Sequence, residues 1–169
     1  MITPAYVRTM AAYNAEMNRR SYTSAGLLTE AERRADQGAF WGSLHGTLCH
    51  LLWADQMWMS RFAGWDKPTH VQKDSAKLID DFDVLRHARI DADARFEAWA
   101  KTVDQPWLDT DLVWFSGGSN AEFRRNRALL LTHLFNHQTH HRGQVHALLT
   151  RHGQDPGQTD LPWIVTAPR

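Results

Sequence analysis

The sequence has almost no cysteine and no excess of charge of either sign. Cys49 is the single cysteine among 169 residues, so a disulfide scaffold within one chain is excluded and a cytoplasmic location is expected. Lysine and arginine number 19, as do aspartate and glutamate, which gives a formal net charge of zero. Because broad nucleic-acid binding needs clustered positive charge, we expect no nucleic-acid partner.

Long hydrophobic runs are also absent. No stretch approaches the roughly 20 apolar residues that a membrane-spanning helix needs, so we expect no membrane association. The first ten residues lack the basic segment and apolar run of a signal peptide. The length predicts one domain, residues 1–169, with a hydrophobic core of its own.

The hydrophobic residues that are present recur mainly with a helical period. Four segments show it: an N-terminal one marked by Tyr6, Met10, Tyr13 and Met17, and residues 43–62, 77–103 and 126–152. Aspartate and arginine fill the other faces of the third segment, which predicts a solvated outer surface there. Residues 64–76 are polar and are interpreted as a loop. Four substantial helices predict an all-α protein, a four-helix bundle.

The sequence changes character just before the last predicted helix. "DLVWF" is rich in residues that favour strands, "SGGS" is typical of a turn, and "NAEF" follows. We therefore predict a small β-hairpin within residues 107–124.

Half of the ten histidines lie in one stretch, "HLFNHQTHHRGQVH" at 133–146. On a helix, His137 and His141 share the apolar line of Leu134 and Val145 and lie one turn apart on the same face. Two such imidazoles are either hydrogen-bonded core residues or ligands of one metal ion. No glutamate follows the first histidine, so the HExxH protease motif is absent.

A metal site of this kind needs at least one more protein ligand. His50 is the best candidate, because it borders the apolar stripe in the middle of the second predicted helix. His133 competes, but three ligands on one straight helix span about 12 Å, which suits one ion poorly. We therefore interpret His133 as lining the site, and His140 and His146 as surface residues.

Other side chains are candidates for the surroundings of the site. Asn136, Gln138 and Gln144 flank the two histidines and could accept the outer N–H of a metal-bound imidazole. Asn14 on the first helix could reach inward toward the site. Trp53 and Met57 could line a pocket, although core packing explains them equally well. Arg142 either binds an anionic substrate or forms a surface ion pair. Asp55 is expected to make a structural contact.

Four segments together resemble a known family. They are "YNAEMNRR" on the first helix, "GSLHGTLCHLLWADQMWMSRF" on the second, "DLVWFSGGSNAEF" before the last, and "HLFNHQTHHRGQVHALLTRHGQDPGQTDLP" on and after it. They cover most of the chain in the expected order, and the last is the most specific. The chain resembles the DinB/YfiT-like family, whose members are classed as metalloenzymes.

The resemblance implies a four-helix bundle that holds one divalent metal through three histidines. Carried over by position, these are His50, His137 and His141, the same three that the helical pattern suggests. His45 departs from the family pattern, in which an aliphatic residue is more usual. Zinc or nickel is the expected ion, with iron or copper also compatible. The resemblance further implies a homodimer.

Similar proteins in the family include metal-dependent thiol transferases and thiol-dependent isomerases. By this analogy we expect a metal-dependent enzyme, thiol-transferase-like or hydrolase-like, that acts on a small-molecule substrate, with a low-molecular-weight thiol as a second cofactor. The alternative is a non-catalytic metal-binding or stress-response bundle. The sequence shows no clear general acid or base.

Overall fold

The computed structural model describes residues 1–165, which are mostly helical. The helices are α1 (Pro4–Gly26), α2 (Glu30–Arg34), α3 (Leu44–Phe62), a 3-10 helix (Gln72–Lys77), α4 (Phe82–Ala100), α5 (Gln105–Asp109), α6 (Arg127–Arg151) and α7 (Leu161–Ile164). The strands are β1 (Asp111–Ser116) and β2 (Ala121–Asn126). Residues 1–165 thus contain four long helices, as predicted, and four short helical segments. One of these, α2, begins at the capping box that Thr29 and Glu32 offer in the sequence. None of the helices in this part of the chain combines the length and apolar composition needed to cross a membrane.

Side-chain caps fix the start of the two helices that carry the candidate histidines. The hydroxyl of Ser43 accepts a hydrogen bond from the Gly46 amide at the start of α3. The side chain of Asn126 accepts one from the Leu129 amide at the start of α6. Such caps satisfy amide groups that have no partner within the helix. Gly153 follows the end of α6 with a φ of 73°, a left-handed conformation that glycine adopts without strain.

The four long helices pack against one another around the hydrophobic core. Helix α1 contacts α4 and α6, and α3 contacts α4 and α6. The core has two parts, one around Phe135 and the other around Leu52. The packing of α3 on α6 is what brings distant histidines into one place.

The predicted hairpin before the last helix is confirmed. Strands β1 and β2 pair antiparallel, with Trp114 opposite Phe123, and their rings stack at 5.5 Å between centroids. Strand β2 leads directly into α6. The hairpin therefore lies beside the N-terminal end of the helix that carries His137 and His141.

The prediction that the charged faces of the third long helix are solvated is wrong at two positions. Arg89 is 3% exposed, and its Nη1 lies 2.6 Å from a carboxylate oxygen of Asp55 on α3. Its Nη2 lies 2.7 Å from the carboxylate of Asp93, which is also largely buried. The structural contact expected for Asp55 is confirmed, and it joins α3 to α4.

Candidate metal centre

Helices α3 and α6 bring together the three histidines singled out by the sequence. His50, His137 and His141 each offer one ring nitrogen within 4.8 Å of the nitrogens offered by the other two. Nε2 of His50 lies 3.1 Å from Nε2 of His137. Two ligands come from adjacent turns of α6 and the third from α3, so the cluster could hold a metal ion.

The outer ring nitrogens of two of these histidines have hydrogen-bond partners. Nδ1 of His141 lies 2.7 Å from Oε1 of Gln144. Because an amide oxygen only accepts, Nδ1 carries the hydrogen and Nε2 keeps a free lone pair. Nδ1 of His50 lies 2.8 Å from the hydroxyl of Ser75. Metal-binding histidines are commonly oriented by such partners.

Burial favours the neutral form of these histidines, which is the form of imidazole that can bind a metal. Desolvation, with a smaller contribution from His141 and His137, lowers the pKa of His50 to about 3. Desolvation, followed by the neighbouring His141, His133 and His140, lowers the pKa of His137 to about 4. Burial also lowers the pKa of His141. Since a metal competes with protons for imidazole, these shifts leave the nitrogens free at neutral pH.

Comparison with known proteins identifies the family of the chain. The family model described as DinB family matches residues 1–168. The chain belongs to the DinB family. The resemblance noted in the sequence is thereby confirmed over almost its whole length. No curated protein and no solved structure shows significant similarity to the chain.

In this DinB-family chain, two tryptophans flank the buried imidazole of His50. The ring of Trp41 stacks on it with centroids 4.0 Å apart and an interplanar angle of 23°. The ring of Trp53 also stacks on that of His50, with centroids 5.9 Å apart and an interplanar angle of 20°. Nε1 of Trp53 donates to the carbonyl of His70. Trp53 thus lies beside the cluster, and its role in a pocket wall stays a prediction. Trp41 precedes α3 in an irregular segment, so no periodic signal pointed to it.

His133 borders the DinB-family cluster without joining it. Its side chain is exposed, and its ring lies 6.1 Å from that of His137 and 5.4 Å from that of Trp58. Trp58 in turn lies 6.0 Å from Trp114 of the hairpin. His133, Trp58 and Trp114 therefore form a continuous aromatic surface next to His137. Met57 is half-buried, two turns along α3 from His50, and its place in a pocket wall stays a prediction.

Asn14 contacts a neighbour of His137. Its side-chain amide donates to Oε1 of Gln138 on α6, and Nε2 of Gln138 donates to Asp55 over 2.8 Å. Asn14 therefore extends the buried network of Asp55 and Arg89, and its place near a metal site stays a prediction. Gln144 does contact His141, as described above. His140 is exposed and His146 half-buried, and neither belongs to the cluster of ligand nitrogens.

Sequence reasoning missed Ser75, the partner of His50. Ser75 is completely buried on the 3-10 helix, which packs against α3. The surrounding residues are polar and have no helical period, so the segment reads as a loop. Ser75 and His50 are 25 positions apart and meet only because the 3-10 helix packs on α3, so no local sequence pattern reveals their contact.

Proposed function

We propose that this DinB-family protein is a metal-dependent enzyme that binds one divalent ion through His50, His137 and His141. The observation that carries the proposal is the convergence of three neutral imidazoles, with two outer nitrogens held by Ser75 and Gln144. Ring nitrogens about 3 Å apart can both reach an ion at about 2.0–2.1 Å, as zinc requires. Zinc or nickel fits this donor set best, and iron or copper is compatible.

An open coordination position supports a catalytic role for the ion. Within residues 1–165 the ligand cluster contains three histidines and neither a carboxylate nor a thiol. Three protein ligands are typical of catalytic zinc sites, whereas structural sites usually have four. A divalent ion held in this way supplies a Lewis acid that lowers the pKa of a water or thiol bound to it.

A reactive thiol, if used, has to come from a small molecule. Cys49 is fully buried, its Sγ donates to the carbonyl of Ile79 over 3.3 Å, and burial raises the pKa of its thiol. These features describe an inert core thiol. We therefore propose a thiol-transferase-like reaction with a low-molecular-weight thiol, and a hydrolase-like reaction as the alternative chemistry.

The aromatic surface beside the cluster supports a small-molecule substrate with an apolar body. Trp58 and Trp114 adjoin His133 at the edge of the site. The guanidinium of Arg61 lies 4.6 Å from the ring centre of Trp58 and 5.5 Å from that of Trp114. An apolar group resting on these rings would lie next to His137, where bound substrate has to react.

The alternative proposal is a non-catalytic metal-binding protein, because the ligands come from two helices. An ion bound to His50 on α3 and to His137 on α6 would join the two helices and stabilise their packing.

In both cases we propose that the four long helices form a four-helix bundle in one domain, residues 1–169. A homodimer, a cytoplasmic location and the absence of a nucleic-acid partner remain proposals from the family resemblance and the composition.

Metal analysis of the purified protein tests the site. We expect about one divalent ion per chain in the wild type, loss of the ion in His137→Ala, and its retention in His140→Ala. His140 is a matched control because it is an exposed histidine on the same helix. A metal-free wild type whose stability is unchanged by a chelator would contradict the proposal.

A second measurement separates the enzyme from the structural alternative. Conjugation of a low-molecular-weight thiol to an aryl halide is followed before and after chelation, with circular dichroism recorded in parallel. Loss of turnover with retention of helical signal supports the enzyme. Unfolding on chelation supports the structural role.

A further inference from the structure

A cavity lies between α1 and α6. It has a volume of about 580 Å³, and none of the three candidate metal ligands lines it. Residues 156–159 form a third wall of the cavity. This segment is held against α1 by the hydroxyl of Tyr13, which donates to the carbonyl of Thr159 over 2.7 Å. Nη1 of Arg20 also donates to the carbonyl of Gln158 over 3.2 Å. We call this space the Arg142 cavity, after the arginine in its wall.

Arg142 is buried with an incomplete set of partners. It is 7% exposed, and its Nη1 has no hydrogen-bond partner within residues 1–165. Its Nη2 makes one long contact, 3.4 Å, with the hydroxyl of Thr139. In the same part of the chain, no carboxylate oxygen lies within ion-pair distance of Arg142. The guanidinium also lies 5.5 Å from the ring centre of Tyr13. A buried cation with one long hydrogen bond and no carboxylate is costly, which points to a group that completes its contacts.

The charges around Arg142 favour an anion in the cavity. The lining residues include Arg20 and His146 and no aspartate or glutamate. Glu16, outside the lining, is paired with Arg20 at 2.6 Å. The deeper carboxylates of Asp55 and Asp93 are paired with Arg89 instead. An arginine guanidinium keeps its charge at neutral pH.

We propose that the Arg142 cavity binds a small organic anion through its oxyanion head group. A guanidinium presents parallel N–H donors that match carboxylate and phosphate oxygens. Met17, Ala147 and Pro156 supply apolar wall for the rest of such a molecule. The volume lies in the range of about 300–1,000 Å³ that is usual for small-molecule sites. The cavity shares no residue with the histidine cluster, so anion binding can be measured with the metal removed.

Thermal unfolding of the full-length protein in chelator tests the site independently of the metal. The probes are benzoate and phenyl phosphate, compared with benzyl alcohol and with sodium chloride at equal ionic strength. We expect the melting temperature to rise with either anion and not with the controls, because a ligand of the native state stabilises it. The larger shift identifies a carboxylate or a phosphate head group as the preferred one.

Variants assign the effect to the cavity. Arg142→Met should weaken the apparent affinity for the anion at least about tenfold, whereas Arg86→Met, at a half-buried arginine of α4 that does not line the cavity, should not. Since Arg142→Met could also disturb folding, Ala147→Trp provides a second test that keeps the arginine and fills the cavity. It should abolish the anion-dependent shift, while Ala94→Trp on α4 retains it. No shift in the wild type beyond that in sodium chloride, or equal shifts in wild type and Ala147→Trp, would overturn the proposal.

Discussion

The hydroxyl of Ser75 lies 2.8 Å from Nδ1 of His50, across 25 positions of sequence. A serine oxygen can accept the Nδ1 hydrogen, and the Nε2 lone pair of His50 then faces His137. The 3-10 helix that carries Ser75 therefore belongs to the site, although it contributes no ligand. This contact makes Ser75 a positioning residue whose effect can be measured.

Replacing Ser75 with alanine is expected to weaken metal affinity by about 10–100-fold, because His50 loses the partner that orients its ring. Competition with a chromophoric chelator measures the affinity. Ser60→Ala is the matched control, since the hydroxyl of Ser60 only donates to the carbonyl of Met57 on the same helix. Equal affinities in wild type and Ser75→Ala would show that the contact does not orient the ligand.

The metal-free protein should keep His50 and His137 neutral at pH 5. Their pKa values are about 3 and about 4 in the folded protein, against about 6.5 for an unperturbed histidine. Below pH 6.5 the unfolded chain therefore binds more protons at these positions than the folded protein does. As a result, the free energy of unfolding falls as the pH is lowered from about 6.5 toward 4, whereas above pH 6.5 both histidines are neutral in both states. Asp93 acts in the opposite direction, since desolvation raises its pKa to about 6.

Nuclear magnetic resonance of the imidazole nitrogens tests this prediction for each ring directly. We expect the signals of His50 and His137 to show the neutral form at pH 5. A transition centred near pH 6.5 for either ring would contradict the burial argument. Unfolding experiments at pH 7 and pH 5 complete the test, with a smaller loss of stability expected for His50→Gln than for the wild type.

Removing Arg89 should strongly destabilise the protein. Arg89→Met leaves the buried carboxylates of Asp55 and Asp93 without their shared cation, which costs about 3–5 kcal/mol in comparable buried pairs. Urea unfolding measures the change in the free energy of unfolding. Arg86, one turn away, is half-buried and makes only a partly exposed ion pair with Asp83, so Arg86→Met should change it by no more than about 1 kcal/mol. Similar losses in both variants would mean that the buried position of Arg89 has no special importance.

Trp41 should report metal binding through its fluorescence. Its ring lies 4.0 Å from that of His50, so a cation on His50 changes the field at the indole. We expect a metal-dependent change in emission that is largely lost in Trp41→Phe. Trp163→Phe is the control, because Trp163 is 83% exposed. A change of the same size in all three proteins would place the signal elsewhere.

The sequence predicted the two ligands on α6 more directly than the one on α3. His137 and His141 lie on one helix, where spacing alone fixes their relative direction. His50 is 87 positions away from His137, so its pattern shows only that it borders the core. Its meeting with the other two depends on how α3 packs against α6, and the family resemblance supplied what periodicity could not.

Buried charges limited the prediction of the third long helix. Arg89 and Asp93 read as surface residues because charged side chains are rarely buried unless paired. Their pairing includes Asp55 on another helix, so it could not be read from residues 77–103 alone. The predicted start at 77 was also early, because Asp81 caps the helix by accepting from the Val84 amide.

The distance in sequence between His50 and His137 also orders the events of biosynthesis. At about 5–20 residues per second, a ribosome adds His137 roughly 4–17 s after His50. Throughout that interval the nascent chain offers one imidazole of the three, and the apolar face of α3 lacks its α6 partner. The complete set of three imidazoles exists only once His141 has been added, so we expect metal to be acquired no earlier than that point in synthesis.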